Sequence, residues 1–202
     1  MLECGKHILN SIKHDVILWL CMGNKIVITC GVSGCGKTTY LRKNYPSYAL
    51  VCPDDLRKTL TGDISDQSKN DLVWKNIYDL IAKLSKAKKD FAVSATNLTW
   101  KGLKQILDNI FISDELECEI LLFKDSENWQ LCRNRVAEDI KNGVDRSNTV
   151  NVKVGDSLLI EVMSEKYLIL KNEIVNNHIP LDKFNFPIHF YEIDGDGNKN
   201  KI

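Results

Sequence analysis

The residues with the most specific chemical pattern form the run GVSGCGKT at positions 31–38, which fits GxxxxGK[ST]. Glycines at this spacing let backbone N–H groups point inward around a phosphate, and the N-terminus of a following helix adds the positive end of its dipole. Lys37 would then reach the β- and γ-phosphates of a nucleotide, and Thr38 would bind Mg²⁺. The run predicts a nucleotide site made by Gly31, Ser33, Gly34, Cys35, Gly36, Lys37, Thr38 and Thr39. A glycine-rich turn that binds nothing is the alternative, and a buried strand before the run and a helix after it disfavour that alternative.

A carboxylate and an arginine stand one helical turn apart in the run CPDDLR at positions 52–57, directly after the second expected strand. Ligands of open α/β sheets bind at the carboxyl ends of the strands, which is where this run lies. Asp54 could therefore accept a hydroxyl proton, and Arg57 could bind a phosphate with its forked guanidinium. The alternative is an Asp that only caps the helix beside an Arg on the surface. The neighbouring phosphate-binding run favours the functional interpretation.

Alternating apolar and helical patterns provide the elements that must position these residues. The sequence predicts five strands, at 26–30, 49–52, 91–93, 116–123 and 188–193. It predicts helices at 37–44, 68–86, 99–110 and 155–172, another from near Glu127, and a loop over 142–151. Strands separated by helices of this length imply right-handed crossovers, so we expect a P-loop NTPase fold of the α/β class. Its five-stranded sheet should be mainly parallel, with helices on both faces.

Composition and charge narrow the range of functions. The 202 residues are 44% apolar and 27% charged, which is ordinary for one globular domain and excludes a disordered or fibrous protein. Lys and Arg balance Asp and Glu at 27 each, so no overall positive field exists to hold a long nucleic acid by charge alone. Any contact with nucleic acid is therefore expected to be local.

The arrangement of the chain predicts one catalytic domain and a cytoplasmic location. We expect residues 1–21 to be a helical N-terminal extension and residues 22–202 to be the P-loop domain. The seven cysteines are scattered and form no CxxC pair, which is typical of reduced thiols in a cytosol. No apolar run reaches the length that crosses a bilayer, so we expect no membrane association.

Three blocks of this sequence resemble the kinase domain of the phage polynucleotide 5′-kinase family, within the wider group of small P-loop kinases that includes zeta toxins. The blocks are GVSGCGKTTY at 31–40, PDDLRKTL at 53–60 and SATNLTWKGLKQIL at 94–107. The resemblance implies transfer of the γ-phosphoryl group of ATP, with Mg²⁺, to a 5′-hydroxyl end of DNA or RNA. It implies Asp54 as the general base and Arg57 on the 3′-phosphate of the acceptor. Members of the family often form homo-oligomers, so a homo-oligomer is the alternative to a monomer, which is the default expectation.

The third block also departs from the pattern of the resembled family. Its members usually carry an Asp one or two residues before a Thr-Asn pair, whereas this chain has Ser94 and Ala95 there and keeps Thr96 and Asn97. We expect Thr96 and Asn97 to bind the acceptor. Either Ser94 holds a metal-bound water, or Asp54 or Asp55 compensates, or the activity is weakened.

The resemblance further implies a lid that brings an arginine over ATP. Arg133 is the first candidate, followed by Arg135 and then by Arg146 after an irregular stretch. The alternative for each is an arginine on the exposed face of an amphipathic helix.

The sequence leaves the acceptor open. The segment 69–104 is rich in lysine and, with Trp74 and Trp100, could form a basic and aromatic approach for a strand end, or merely a solvated helix face. The alternatives to a polynucleotide kinase are a P-loop kinase for a nucleoside, nucleotide or sugar, and a nucleotide-binding module with weakened catalysis.

Overall fold

A six-stranded sheet forms the centre of the molecule in the computed structural model, which describes residues 24–112, 115–146 and 152–202. The extension expected at residues 1–21 lies outside these ranges, as do residues 147–151 of the loop expected over 142–151. Five strands run parallel in the order β2-β3-β1-β4-β7, and β8 pairs antiparallel with β7 at the edge. The strands are β1 (Lys25–Cys30), β2 (Ala49–Val51), β3 (Phe91–Val93), β4 (Glu117–Phe123), β5 (Lys153–Val154), β6 (Ser157–Leu158), β7 (Ile188–Ile193) and β8 (Lys199–Lys201).

The predicted α/β fold with a mainly parallel sheet is confirmed, and each of the five predicted strands is present with ends shifted by at most one residue. The sequence missed β8 and the two-stranded hairpin of β5 and β6. Both are short and polar, so neither has the apolar alternation that identifies a strand. β8 is specified instead by a turn over 194–198 that folds it back onto β7.

Six helices connect and cover the strands. They are α1 (Lys37–Asn44), α2 (Pro53–Thr61), α3 (Asn70–Lys86), α4 (Trp100–Asp108), α5 (Trp129–Lys141) and α6 (Leu159–Val175). Four begin later than predicted. The shift is one or two residues for α3 and α4; a 3₁₀ turn over Lys124–Glu127 precedes α5, and the β5–β6 hairpin takes up the residues before α6. None of the helices within the described ranges is long and apolar enough to span a membrane.

The central strand β1 divides the core into two layers. Ile26 and Ile28 pack on the side of α3 and α4, where Ile77 and Leu103 are buried. Val27 points to the other side, where α1 and α5 contribute buried side chains. Because the sheet is covered on both faces, the open positions for a ligand lie at its edge, beyond the carboxyl ends of the parallel strands.

A buried carboxylate ties β8 to the rest of the sheet. The side chain of Glu119, in β4, is only 5% exposed and lies 2.9 Å from Lys25 Nζ and 2.7 Å from Lys199 Nζ. The hydroxyl of Tyr45 donates a third bond to it, at 2.9 Å. Burial alone would raise the pKa of Glu119, but the hydrogen bonds from Lys199, Lys25 and Tyr45 outweigh it and hold that pKa below its usual value.

Candidate active site

The loop between β1 and α1 has the conformation that phosphate binding requires. Gly34 and Gly36 adopt φ values of 83° and 95°, which only glycine enters without strain. No side chain caps α1 at Gly36, so a ligand can take up the N–H groups of the first turn. A Cβ at Gly36 would meet nothing within 4 Å, and this open space adjoins the helix N-terminus. The residues therefore fit a phosphate chain at this end of the helix.

The two side chains of the loop that would act on phosphate are held by hydrogen bonds. Lys37 Nζ donates to the carbonyl oxygens of Gly31 and Val32, at 2.9 and 2.8 Å. Thr38 Oγ1 lies 2.9 Å from Ser94 Oγ. Carbonyl oxygens are weaker partners than phosphate for an ammonium group, so Lys37 can exchange them for a nucleotide.

Ser94 and Ala95, the two residues before Thr96, lie in different surroundings. The hydroxyl of Ser94 meets the side chain of Thr38, the expected Mg²⁺ ligand, at the carboxyl end of β3. Ala95 is 7% exposed and belongs to the hydrophobic core, and its carbonyl accepts a bond from Thr29 Oγ1 at 3.2 Å. Of the two positions at which the resembled family carries an acid, position 94 is therefore the one that contacts Thr38.

Asp54 and Arg57 form an ion pair on the first two turns of α2. Asp54 Oδ1 lies 2.5 Å from Arg57 Nη1, and Arg57 also donates to Asn70 Oδ1 at 3.2 Å and to the carbonyl of Ile64 at 3.4 Å. Arg57 is 5% exposed, whereas half of the Asp54 side chain (51%) is open to solvent. The alternative of a capping Asp beside a surface Arg is wrong, because Cys52 is the N-cap residue and Arg57 is buried.

One cavity of about 880 Å³ joins these two groups of residues. Its lining includes most of the predicted site: Ser33, Gly34, Cys35, Gly36, Lys37, Thr38, Thr39, Asp54, Arg57, Thr96 and Arg135. Gly31, Asn97 and Arg133 are not part of the lining.

Gly31 and Asn97 lie beside the cavity, and Asn97 lines a groove that adjoins it. The backbone N–H of Gly31 donates to the carbonyl of Thr96 at 2.8 Å, and a Cβ there would lie 2.7 Å from Cys35 Sγ. Asn97 adopts a left-handed φ of 46°, and its Nδ2 donates to the carbonyl of Thr29 at 2.9 Å. These contacts tie the loop after β3 to the end of β1, which fixes the position of the Thr96 side chain in the cavity.

Two of the three candidate lid arginines line the cavity. Arg135 lies on α5 and pairs with Asp125 at 2.6 Å, and Arg146 follows that helix and pairs with Asp139 at 2.5 Å. Arg133 is two residues before Arg135, so the two side chains leave the helix in different directions. The helix itself rests on the phosphate loop, since a Cβ at Gly34 would lie 2.3 Å from the carbonyl oxygen of Cys132.

The cavity contains acidic residues that the sequence did not place at the site. Asp125 lies two residues after the end of β4, and Asp194 and Asp196 lie in the turn after β7. Hydrogen bonds from the side chain and backbone of Asn198 lower the pKa of Asp194, so it stays ionised near neutral pH. Their place just after parallel strands was the available signal, because ligands bind at that edge.

The charges of the side chains that line the cavity indicate whether it suits a nucleotide with a metal ion. Eight carboxylates and six Lys or Arg side chains line the cavity. A polyanionic nucleotide placed there needs a further cation to offset these acids, and Thr38 Oγ1 supplies the oxygen that P-loop proteins use for Mg²⁺. The residues present therefore fit a nucleotide together with Mg²⁺.

A groove of about 680 Å³ lies beside the cavity, and Trp74 and Thr96 line both. Trp74 packs against Tyr78 one helical turn further along α3, with ring centroids 5.6 Å apart at 33°. We call the region around these two rings the aromatic groove. Both tryptophans of the lysine-rich segment pack against the core: Trp74 also lines this groove, whereas Trp100 packs edge-on against Phe184 and does not line it.

This fold and site define a P-loop NTPase domain, with a cavity beside the phosphate loop at the carboxyl edge of the sheet. Residues 26–156 match the family model described as an AAA domain, and the chain belongs to that family. No curated protein matches the sequence.

Solved structures share the fold at low sequence identity. A chain of the Pnkp1/Rnl/Hen1 RNA repair complex is 17% identical with a TM-score of 0.56, over 75% of this chain and 46% of that one. A chain of the PezAT toxin-antitoxin system of Streptococcus pneumoniae is 14% identical with a TM-score of 0.54, over 94% and 78%. A chain of the AvrRxo1-ORF1:-ORF2 complex is 14% identical with a TM-score of 0.53, over 96% and 60%. The protein therefore spans less than half the length of the first of these chains.

Proposed function

We propose that the protein is an ATP- and Mg²⁺-dependent polynucleotide 5′-hydroxyl kinase that acts on ends of DNA or RNA. The observation that carries the proposal is the ion pair of Asp54 and Arg57, which shares one cavity with the phosphate loop. A half-exposed carboxylate can take a proton from a hydroxyl, and a guanidinium beside it can hold the phosphate on the other side of the same sugar. The membership of one structural neighbour in an RNA repair complex agrees with such an acceptor.

The proposed reaction is an in-line transfer in which positioning and charge do most of the work. The 5′-hydroxyl oxygen attacks the γ-phosphorus of ATP, its proton passes to the Asp54 carboxylate, and the bond from that phosphorus to the β,γ-bridging oxygen breaks to release ADP. Lys37 leaves the carbonyls of its own loop to bind the β- and γ-phosphates. When bound to Thr38, Mg²⁺ offsets negative charge on the phosphates.

The lid role belongs to an arginine that can reach the nucleotide. Arg135 and Arg146 line the cavity, so we assign them this role ahead of Arg133, although the sequence favoured Arg133. Each is paired with a carboxylate, Asp125 or Asp139, which it would exchange for phosphate oxygens. We expect the lid arginine to stabilise charge that develops on the transferred phosphoryl group.

A nucleotide-binding module with weakened catalysis is the second candidate, and the hydroxyl of Ser94 beside Thr38 favours it. An acid at this place would hold metal-bound water more strongly than a neutral hydroxyl. A small-molecule P-loop kinase is the remaining alternative, since the cavity of about 880 Å³ would also admit a nucleoside or a sugar.

The experiment is transfer of labelled γ-phosphate from ATP, with Mg²⁺, to a 5′-hydroxyl oligonucleotide. Three variants accompany the wild type: Lys37→Ala, Asp54→Asn, and Lys86→Ala as a control on an exposed lysine outside the cavity. We expect label with wild type and Lys86→Ala, and a loss of at least about 100-fold for the other two, as for other removals of one charge-stabilising or proton-accepting group.

Other results point to the other functions. Heat stabilisation by ATP without labelled oligonucleotide would refute the proposed acceptor. Label in nucleosides or sugars would then identify a small-molecule kinase, and none in any acceptor would identify a binding module. We further propose a cytoplasmic enzyme that forms a homo-oligomer, and light scattering at micromolar concentration measures its molar mass.

A further inference from the structure

The aromatic groove continues directly from the acceptor side of the cavity. Asn70, which accepts a hydrogen bond from Arg57, stands one turn before Trp74 on α3, so both lie on the same face of that helix. Trp74 in turn borders both the cavity and the groove. A chain whose phosphate is held by Arg57 would therefore pass the Trp74 ring as it leaves the cavity.

The lining of the groove suits a flat ring with polar edges. Trp74 and Tyr78 are half-buried, and together they offer a ring surface that packing already holds in place. Gln105 of α4 and Asn109, the C-cap residue of that helix, also line the groove, and both are amides that can donate and accept hydrogen bonds. The hydroxyl of Tyr78 donates to Gln105 Oε1 over a long 3.3 Å, a bond that a ligand could replace.

The charge of the groove argues against a phosphate there. Its charged side chains are Asp71, Asp79 and Lys75, which give a formal charge of −1. A phosphate would be repelled by the two carboxylates, whereas a neutral base would not. Arg57, whose buried guanidinium could hold a phosphate, lies on the cavity side of Trp74 and does not line the groove.

We propose that the aromatic groove is a subsite for the base of the second nucleotide of the acceptor strand. This inference rests on the proposed polynucleotide kinase function. The first nucleotide presents its 5′-hydroxyl to Asp54, its 3′-phosphate meets Arg57, and the following base stacks on the rings of Trp74 and Tyr78. The subsite makes the enzyme prefer a single-stranded end over a lone nucleotide, because a paired and stacked base cannot enter it.

The test compares acceptors that differ only at the second base. A dinucleotide with a 5′-hydroxyl is compared with the same compound lacking its second base, and a nucleoside 3′-monophosphate serves as the minimal acceptor. We expect the wild type to have a kcat/KM about tenfold higher for the full dinucleotide than for the abasic one, as expected when one base stacks on an aromatic side chain. Tyr78→Ala should bring that ratio close to one, and Gln105→Ala should lower it by a smaller factor.

Two further variants separate recognition from folding. Tyr78→Phe keeps the ring and should keep most of the ratio, whereas Leu80→Ala changes an exposed side chain of the same helix outside the groove and should leave the ratio unchanged. Melting temperatures identify a variant that merely loses structure, and Gln105→Ala then carries the test because Gln105 is exposed.

The outcomes distinguish this inference from the proposed function. Transfer to all three acceptors, with a ratio near one in the wild type or an unchanged ratio in both Tyr78→Ala and Gln105→Ala, overturns the subsite alone. If no acceptor is labelled, anisotropy of a fluorescent 5′-hydroxyl oligonucleotide replaces the transfer assay. Binding that Tyr78→Ala weakens would then support the groove and refute the kinase function, and no such binding would overturn both.

Discussion

The two sides of the cavity are built in different ways. The nucleotide side comes from one contiguous run, residues 31–38, whose shape depends on the φ angles of its own glycines. The proposed acceptor side combines residues 54–57, 64–70 and 94–96, which meet only because α2, α3 and the loop after β3 pack together. We therefore expect that mutations on the nucleotide side can change folding stability and ligand binding independently. Mutations on the acceptor side should change both together.

The sharpest test of the nucleotide side compares two of its glycines. Both have a positive φ, so alanine at either position costs about 1–2 kcal/mol of folding free energy. At Gly34 the new Cβ would also lie 2.3 Å from the carbonyl oxygen of Cys132, and such overpacking adds about 1–3 kcal/mol. Gly34→Ala should therefore destabilise the protein by about 3 kcal/mol, measured by denaturant unfolding.

Gly36→Ala is the matched variant. Its Cβ would meet nothing within 4 Å of protein, so its loss of stability should be limited to the backbone strain. The same open space is where we place the phosphates, so this variant should lose ATP binding while it remains folded. Equal losses of stability for the two variants would show that α5 does not constrain the loop.

The nucleotide side was also the part that the sequence predicted well. The pattern GxxxxGK[ST] is local, and the strand before it and the helix after it are present with their predicted limits within one residue. The five parallel strands were predictable for the same reason, since each is a short apolar run between turn residues.

For the proposed acceptor side, the sequence predicted which residues take part but not the contacts that they make. Asp54 and Arg57 could be named from spacing, but the burial of Arg57 depends on Asn70 and Ile64, which no local pattern links to it. The choice among the lid arginines depended on which face of α5 meets the phosphate loop. The contact between Ser94 and Thr38 was likewise not predictable, because the two residues are far apart in the sequence.

Arg57 provides the corresponding test of the acceptor side. Arg57→Ala removes a buried guanidinium and leaves Asn70 and the Ile64 carbonyl without it, while the half-exposed Asp54 can still be hydrated. We expect a loss of stability of about 2 kcal/mol, together with loss of the preference for acceptors that carry a 3′-phosphate. Unfolding in urea measures the first effect and competing acceptors measure the second.

Arg57→Lys is the control for that variant, because it keeps the charge but not the forked geometry. It should retain part of the stability and less of the phosphate preference. An Arg57→Lys variant with wild-type stability and no preference for a 3′-phosphate would show that stability and binding are as independent on the acceptor side as on the nucleotide side.

Glu119 lies outside the cavity, so a mutation there should change stability without changing either binding side. Its pKa lies below the usual value in the folded protein, so its ion pairs add stability above the pKa of the unfolded chain, about 4.3. That stability is lost as pH falls through the lowered folded pKa. Glu119→Gln should cost about 1–2 kcal/mol at pH 7, and the difference from wild type should shrink below about pH 4. Urea unfolding across this pH range measures it, and a difference that is constant with pH would contradict the role of the charge.

The smallest expected effect concerns the hydroxyl at position 94, where the two sides of the cavity meet. Ser94 lies 2.9 Å from Thr38, so an acid there would stand beside the expected metal ligand without entering the core. Ser94→Asp should tighten Mg²⁺ binding in the presence of ATP by about three- to tenfold, or about 0.7–1.4 kcal/mol, measured by titration calorimetry. Ala95→Asp is the informative control. Ala95 also lines the cavity, but it is only 7% exposed and packs in the core, so the variant should destabilise the protein without improving metal binding. If Ser94→Asp also raises turnover, the natural serine limits catalysis; if it tightens Mg²⁺ alone, the chain already supplies the acid it needs from elsewhere, and Asp54, Asp55 and Asp125 are the carboxylates of the cavity to test next.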